Sequence, residues 1–597
     1  MAIAALMGVG TAVKGEEVPS LDLNFDGTTS SFTRATTSPT AAKANGDQLA
    51  TSILTQGKTG TVQSMYMGPD GKLIKGYVTN GLPESHPYGG SWWTSGDYTP
   101  TDNYGTAPDG SQTSVRYQYD ASAGFEQFYR TSSVVPALGA VYTASIWYKG
   151  SGSFRINCQQ SGTTEQTNAQ FTATSQWQRA QVQHTVVTGG GTGNMILAVW
   201  MQNALGSADI EFWGAQIEEG AAASQHVPTS GTSASDQVAR VEYDASGNPL
   251  GLLVEEARTN LWPSGQSNFG NATAGGGSTA STTAVTAPDG TTDNIWAITE
   301  SGTVGSHHVF TAVSVSASTA YTASYYLKKG SEDYGFIYFE GTAFSSVERV
   351  WFNLANGTVG TETGSSVGHI SDAGNGWYRC SVTTTSGTTT TTAYASVGFS
   401  STDGSFNSSG ASAITGYYWG MQVEAGEGPT SLIYDDTTGS VTRPADDITL
   451  ATSGFGFDNT ASSVAMSVNG LRDDTIQRLL SMRDSGNTSN ERADLLHTVS
   501  NQMQQFVRNA SGVQVSQNIV GVTGQSARTV AATIAQDDYR LSMDGSSPIA
   551  DTNAAVPTIN EFRLGAGINS PLNGHIRRLR YWPRAINDAQ LSKFTNQ

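Results

Sequence analysis

Four short landmarks occur twice along this 597-residue chain, in the same order. APDG stands at Ala107–Gly110 and again at Ala287–Gly290. VYTASIWYKG at Val141–Gly150 is matched by AYTASYYLKKG at Ala320–Gly330. WQRAQVQ at Trp177–Gln183 is matched by WYRCSVT at Trp377–Thr383, and FWGAQIEEG at Phe212–Gly220 by YWGMQVEAG at Tyr418–Gly426. The offsets are 180, 179, 200 and 206 residues, so loops differ in length while the order of landmarks is fixed. Solenoid repeats recur every 20–50 residues. A spacing this long requires two copies of a whole domain.

Within each copy apolar residues recur with period two. In Tyr321-Thr322-Ala323-Ser324-Tyr325-Tyr326-Leu327 the odd positions are Tyr, Ala, Tyr and Leu. Glu211–Glu218 alternates in the same way. Side chains on a strand point alternately to opposite faces, so this is the pattern of half-buried strands. Helical spacing is nearly absent before residue 585. Charged residues make up 14% of the chain, against about 25% in an average soluble protein. Gly, Ser and Thr take their place, and they suit turns and pleated surfaces. Twelve Trp, 23 Tyr and 20 Phe spread along the chain exclude disorder. The expectation is all-β: antiparallel sheets packed face to face.

From about Asp446 the pattern changes, and a third sandwich is expected. Phe455–Phe457, Ser463–Val468, Leu495–Val499, Met503–Arg508, Thr529–Ile534, Tyr539–Met543, Phe562–Gly565 and His575–Tyr581 read as its strands. Asp544-Gly545 is a tight-turn signal. Asn587 is placed to cap one helical turn over Asp588–Phe594.

The formal net charge of −19 repels phosphate backbones and anionic lipid, which argues against nucleic-acid and membrane-surface partners. No run of 18 apolar residues exists, so no membrane insertion is expected. The opening MAIAALMGVG lacks a basic n-region and reads as a strand or docking segment, not a signal peptide. The two cysteines, Cys158 and Cys380, lie in different copies and have no CxxC spacing. They read as buried, reduced thiols that behave as small hydrophobes.

No hydrolase constellation stands out. Glu255 and Glu256 are adjacent and diverge on a strand, so they cannot flank one glycosidic bond. His307-His308 diverge likewise, and ligands on one strand need i, i+2 spacing. Gly275-Gly276-Gly277 has no following GK[ST] and is a loop, not a phosphate cradle. Cofactors are not expected. Asp435-Asp436 and Asp446-Asp447 could offer oxygen ligands to a structural calcium ion, without a spaced ligand pattern.

Carbohydrate contact fits the composition better, because sugar C–H faces stack on aromatic rings while amides and carboxylates bind hydroxyls. Trp92, Trp93 and Tyr98 share one Gly/Ser-flanked segment and read either as sugar-stacking rings or as core. Trp262 reads as an interdomain plug. Trp147, Trp177, Trp213, Trp377 and Trp419 read as core. Arg577, Arg578, Arg580 and Arg584 form a basic patch in sequence. Arg577 and Arg580 are its candidate ligand-binding residues, for an acidic polysaccharide or an acidic neighbouring subunit.

Four segments resemble phage structural proteins, and the tail resembles a second family. Phe32-Thr33-Arg34-Ala35-Thr36 is similar to the FTRAST segment of phage tail and fibre proteins. Gly251–Leu261, GLLVEEARTNL, resembles their GLLIEEARTNLL signature. Trp419–Gly426 resembles their WGAQLEAG strand, and Thr442–Asp446 the TRAAD linker after it. The tail from Phe562 to Arg584 resembles the closing strands of concanavalin A-like (laminin G-like) domains. Here the first repeat copy stands between the FTRAST-like segment and Arg240–Asp244, as an inserted or duplicated domain would.

The resemblance implies tandem antiparallel β-sandwiches: two jelly rolls like carbohydrate-binding modules, then a concanavalin A-like sandwich. The expected division is residues 1–75, an N-terminal β segment and virion anchor; 76–235, jelly roll one; 236–261, a bridging β segment; 262–445, jelly roll two; and 446–597, the concanavalin A-like sandwich. It implies a bacteriophage virion protein, a fibre or spike that adsorbs to host-surface glycan without catalysis. Its expected partners are other virion proteins and copies of itself, with a homotrimer favoured. An architectural tail, baseplate or capsid-decorating protein and a glycan hydrolase with binding modules are the alternatives.

Overall fold

The computed structural model describes the chain from residue 21 to residue 596 except for short segments, the longest being 35–54, 57–62 and 263–272. The residues fall into two compact units. One comprises Gln56–Ser175 with Arg179–Asp446; the other comprises Met1–Thr55, Gln176–Gln178 and Asp447–Gln597. The chain is all-β, with antiparallel pairing throughout the described ladders and a single described α-helix, Asp588–Thr595.

The larger unit contains the two repeat copies, each a two-sheet sandwich. In copy one, one sheet runs Gln178–Thr185, Val141–Ser151, Ala208–Glu219, Val115–Tyr119. Its partner runs Gln166–Thr172, Ser153–Gln160, Met195–Gln202, Phe125–Thr131, Trp93–Ser95. In copy two the first sheet runs Val367–Asp372, Trp377–Thr385, Ala320–Lys329, Ile414–Ala425, Ile295–Thr299, Thr279–Thr283. The second runs Thr358–Thr363, Glu348–Asn353, Tyr334–Glu340, Thr391–Ser400, His308–Val315, Thr273–Gly275. The strand orders coincide once copy two's extra strands at the sheet edges are set aside.

The repeated letters mark one shared device. The YTAS strand pairs with the WG strand in both copies, and its register slips between Ser145 and Trp147 and between Ser324 and Tyr326. Opposite each slip stands a glycine at φ +62°, Gly214 and Gly420. This is a left-handed conformation that a bulge requires and a side chain resists. The arginine of WQR or WYR lies over the bulge aromatic: Arg179 over Trp147 at 5.8 Å, Arg379 over Tyr326 at 5.6 Å. Further along the WG strand itself, Gln216 donates to Glu218 (2.8 Å) and Gln422 to Glu424 (2.6 Å), all buried.

A fifth landmark escaped the sequence comparison. Asn260, of the ARTNL segment, accepts from Trp262 N and Val423 N and donates to Met421 O. Asn80 accepts from Leu82 N and Ile217 N and donates to Ala215 O. The two asparagines thus clamp the same strand of their respective copies, in VTNGL and ARTNLW.

Residues 63–75 do not stand apart as an N-terminal element. Gln63–Met67 pairs with Leu73–Lys75 and with Leu432–Tyr434. Met65, Met67 and Leu73 pack with Tyr326, Trp377 and Trp419 of the second copy. Trp262 is a core residue of that copy, edge-to-face with Tyr325 at 5.9 Å, and not an interdomain plug. Trp147, Trp213, Trp377 and Trp419 are buried, whereas Trp177 is only half-buried. Cys158 and Cys380 are free and buried in their separate copies.

In the other unit, one sheet carries Leu21–Asn24, Gly574–Trp582, Ala461–Asn469, Arg528–Ala535, Asp538–Met543 and Ile549–Asp551, with Ser31–Arg34 beside Leu21–Asn24. The second carries Ile448–Ala451, Glu561–Leu564, Gln477–Arg483, Arg492–Thr498, Gln502–Asn509 and Gly512–Val520. Four of these strands, Ile448–Ala451, Gln477–Arg483, Gly512–Val520 and Ile549–Asp551, were not among those expected, and Phe457 lies outside a strand. The capped helix is present: the Asn587 side chain accepts from Gln590 N, and Gln590 answers in a capping box.

Candidate functional site

Period two splits the aromatic segment of copy one. Trp92 turns inward, 4% exposed, edge-to-face with Phe128 at 5.8 Å. It belongs to the core and is not a ligand-stacking ring. Trp93, the next residue, turns outward on the edge strand and is 66% exposed. Tyr98 lies outside the described residues.

The register shows what surrounds Trp93. The inward residues of this sheet, Phe128, Leu197, Val199, Ile156 and Cys158, join the sandwich core. The alternate residues therefore share the outer face with Trp93. One row across the strands reads Trp93, Tyr129, Ala198, Asn157, Asn168. The next row, about 7 Å along the strands, reads Ser95, Gln127, Trp200, Arg155, Gln170. Phe125 and Gln202 follow as a pair, and Phe125 is 51% exposed and edge-to-face with Trp200 at 6.0 Å. Ala198, small and buried, sits between Tyr129 and Asn157 at the centre of the face.

Side-chain amides dominate the remainder. The Asn157 amide donates to Gln159 (2.6 Å) and Gln166 (3.1 Å). Arg155 Nη1 donates to Asn168 Oδ1 at 3.3 Å. Three buried polar atoms on adjacent positions of this face have no hydrogen-bond partner: Trp200 Nε1, Arg155 Nε and Asn157 Oδ1. Leaving such groups unsatisfied is costly. Among the outward strand positions there is no Asp, Glu or Lys, and Arg155 is the one charged side chain.

The equivalent face of copy two is closed. Phe336, Tyr338 and Trp351 hold the corresponding outward positions and are almost fully buried. Phe406 covers them at ring distances of 5.0, 5.7 and 5.2 Å. The Arg349 guanidinium lies 3.7 Å from the Phe406 ring centre, and Trp351 Nε1 donates to Ser405 O at 2.7 Å. Two sandwiches of one topology therefore present one open and one sealed aromatic face.

The arginine patch near the C-terminus does not form as a patch. Arg580 is 7% exposed, donates to Phe594 O and lies over Trp582 and Phe594, so it fixes the helix and is not a surface ligand group. Arg578 is bound to Asp22 through two bonds of 2.9 and 2.7 Å. Arg577 does line a cleft of about 330 Å³, together with Arg528, Asp544, Ser467, Thr529 and Asn596. Arg528 is already paired there with Asp544 at 2.9 Å.

Glu255 is held in a buried charge cluster. It accepts from Ser431 N and Ser431 Oγ at 2.6 Å and from Arg240 at 2.7 Å, with Arg443 at 3.5 Å. Arg240 also binds Asp446 at 2.6 Å. Burial alone would raise the Glu255 carboxyl; Arg443, Arg240 and the Ser431 bonds outweigh it and hold it well below the usual carboxylate range. Two arginines and two carboxylates balance, and such a carboxylate has no proton to give. Asp446 is thereby committed to arginine, and Asp447 pairs with Arg563 at 2.6 Å, so this pair is no calcium loop. Asp435-Asp436 lies outside the described residues. His307 is buried and His308 half-buried, and no cluster of metal-ligating side chains occurs among the described residues.

Sequence reasoning missed Tyr129, Trp200, Arg155 and Asn157. Their signal was present as alternation in FEQFYRT, FRINCQQ and MILAVWMQ, but the partner strands had to be known before the residues could be placed together.

No family model matches this chain, and no curated protein does. Solved structures match parts of it. The carbohydrate-binding module CBM40 of a Ruminococcus gnavus sialidase is 18% identical, with a TM-score of 0.21, over 23% of this chain and 84% of that one. The NanB sialidase of Streptococcus pneumoniae is 16% identical, TM-score 0.22, over 24% of this chain and 26% of that one. The enzymatically active domain of tailspike protein 4 of bacteriophage CBA120 is 11% identical, TM-score 0.20, over 24% of this chain and 21% of that one. The matches are partial and low-scoring, and what this chain does is argued from its own residues.

Proposed function

We propose that this chain is a non-catalytic bacteriophage structural protein, a fibre or spike, that binds host-surface glycan through the outer face of its first jelly roll. The observation behind the binding role is the open face itself. Two outward rings, Trp93 and Phe125, flank half-buried Tyr129 and Trp200, amid side-chain amides and unpartnered polar atoms. Rings stack on sugar C–H faces, and amides exchange hydrogen bonds with hydroxyls. Among the described outward positions of the face there is no carboxylate pair of the kind glycosidases use, and Glu255 is locked between arginines; both support a binder over a hydrolase. The phage assignment rests on the FTRAT, GLLVEEARTNL, WGMQVEAG and TRPAD segments. Many weak sites on an oligomer would supply avidity, and a trimer is the form the resemblance favours.

An architectural role is favoured for the second copy, whose matching face is sealed by Phe406. A glycan array probed with the full chain tests the whole reading. Binding to a restricted set of bacterial surface glycans is expected. Silence across the array would overturn the adsorption role and leave an architectural one.

A further inference from the structure

Arg155 is the anomaly of the open face. About half of the described arginines of this acidic chain sit against carboxylates: Arg116 on Asp209, Arg483 on Glu561 and Arg578 on Asp22, for example. Arg155 makes one long bond, 3.3 Å, to a neutral amide oxygen of Asn168. Its Nε is enclosed, as it is in several other arginines of the chain. On its row it is next to Trp200, whose indole N–H is also buried and unpartnered. A guanidinium is a permanent planar cation, and its outer Nη groups meet a carboxylate with charge-assisted hydrogen bonds. A chain of net charge −19 repels an anionic ligand at long range. Described outward strand positions without Asp or Glu, around an arginine with no ion pair, are the local exception.

We propose that the first jelly roll selects a glycan carrying a carboxylate-bearing sugar, with Arg155 as the carboxylate-binding group and Trp200 and Tyr129 as the flanking ring walls. This rests on the glycan-binding reading above and narrows it.

The test uses the full chain and matched probes: uronate-containing oligosaccharides (oligogalacturonate, oligoalginate and a hyaluronan hexasaccharide), sialyllactose, and the carboxyl-reduced form of each. Titration calorimetry is run on the unaltered chain and on Arg155→Gln, Arg155→Lys and Trp200→Ala. At least one acidic probe should bind roughly tenfold or more tightly than its reduced form. Arg155→Gln should abolish that difference and Arg155→Lys restore part of it, with unchanged unfolding curves. Trp200→Ala should weaken both forms. Equal binding of acidic and reduced probes, unaffected by Arg155→Gln, would overturn the inference while leaving a glycan-binding face. No binding of any probe, together with a silent array of neutral glycans, would overturn both.

Discussion

Arg240 Nη2 lies 2.7 Å from Glu255 and 2.6 Å from Asp446, all three buried. With Arg443 and Ser431 they join three of the segments that are most recognisable in the sequence, RVEYD, GLLVEEARTNL and TRPAD. Removing one member of such a cluster leaves a buried charge uncompensated, which costs about 3–5 kcal/mol. Glu255→Gln should therefore lower the urea midpoint of the larger unit strongly. The pH dependence has a definite sign. The folded Glu255 carboxyl lies below its ordinary value of 4.5, so its contribution is complete above that value and is lost as pH falls toward the folded one. Urea titrations between pH 7 and pH 3 should show the unaltered chain losing more stability on acidification than Glu255→Gln.

Gly214 and Gly420 hold the same φ of +62° but differ in their surroundings. An added Cβ at Gly420 would lie 2.7 Å from the Tyr326 ring, while at Gly214 the nearest atom, of Trp147, is 3.2 Å away. Each Ala substitution pays about 1–2 kcal/mol for the left-handed backbone. Gly420→Ala should cost more than Gly214→Ala, because the packed ring there must move further. Calorimetric unfolding of both variants checks the order.

The asparagine clamps should behave as equivalents. Asn80→Ala and Asn260→Ala each strip two backbone N–H groups of their acceptor inside a sandwich, a loss of about 2–3 kcal/mol. Hydrogen exchange should report faster exchange at Ile217 in the first variant and at Val423 in the second. Each change should stay within its own copy.

Burial pushes the Cys158 thiol up to about 12, and Cys380 is raised well above its ordinary value by the same cause. Thiolate is the reactive species. Neither cysteine should react with an aromatic disulfide reagent in the folded chain at pH 8, and both should react in urea. Stoichiometric labelling of the native chain would contradict the burial.

How far the sequence reached depended on what each residue needed to know. Period two and the duplicated landmarks gave the sandwich class and the two copies, because alternation and repeat are properties of the chain read alone. Asn587 gave the helix start, because capping is local. What failed was pairing. Trp92 and Trp93 are neighbours in sequence, yet the backbone sends them to opposite faces. Arg577 and Arg580 are close in sequence likewise, and burial under the C-terminal helix separates them. Asn80 was overlooked because two letters, TN, are too few to stand out until their backbone partners are known. Phe406 lies in a polar loop, and only the ladder beneath it shows that it seals a face.

The claim that most depends on the open face is that its rings bind sugar. Titrating the best array glycan into the full chain and into the Trp93→Ala, Tyr129→Ala double variant tests it most directly. Both residues lie on the outer face and outside the core cluster, so the variant should melt within a degree or two of the unaltered chain. Affinity should fall roughly tenfold or more. Unchanged affinity in a correctly folded double variant would place glycan recognition elsewhere and contradict the account.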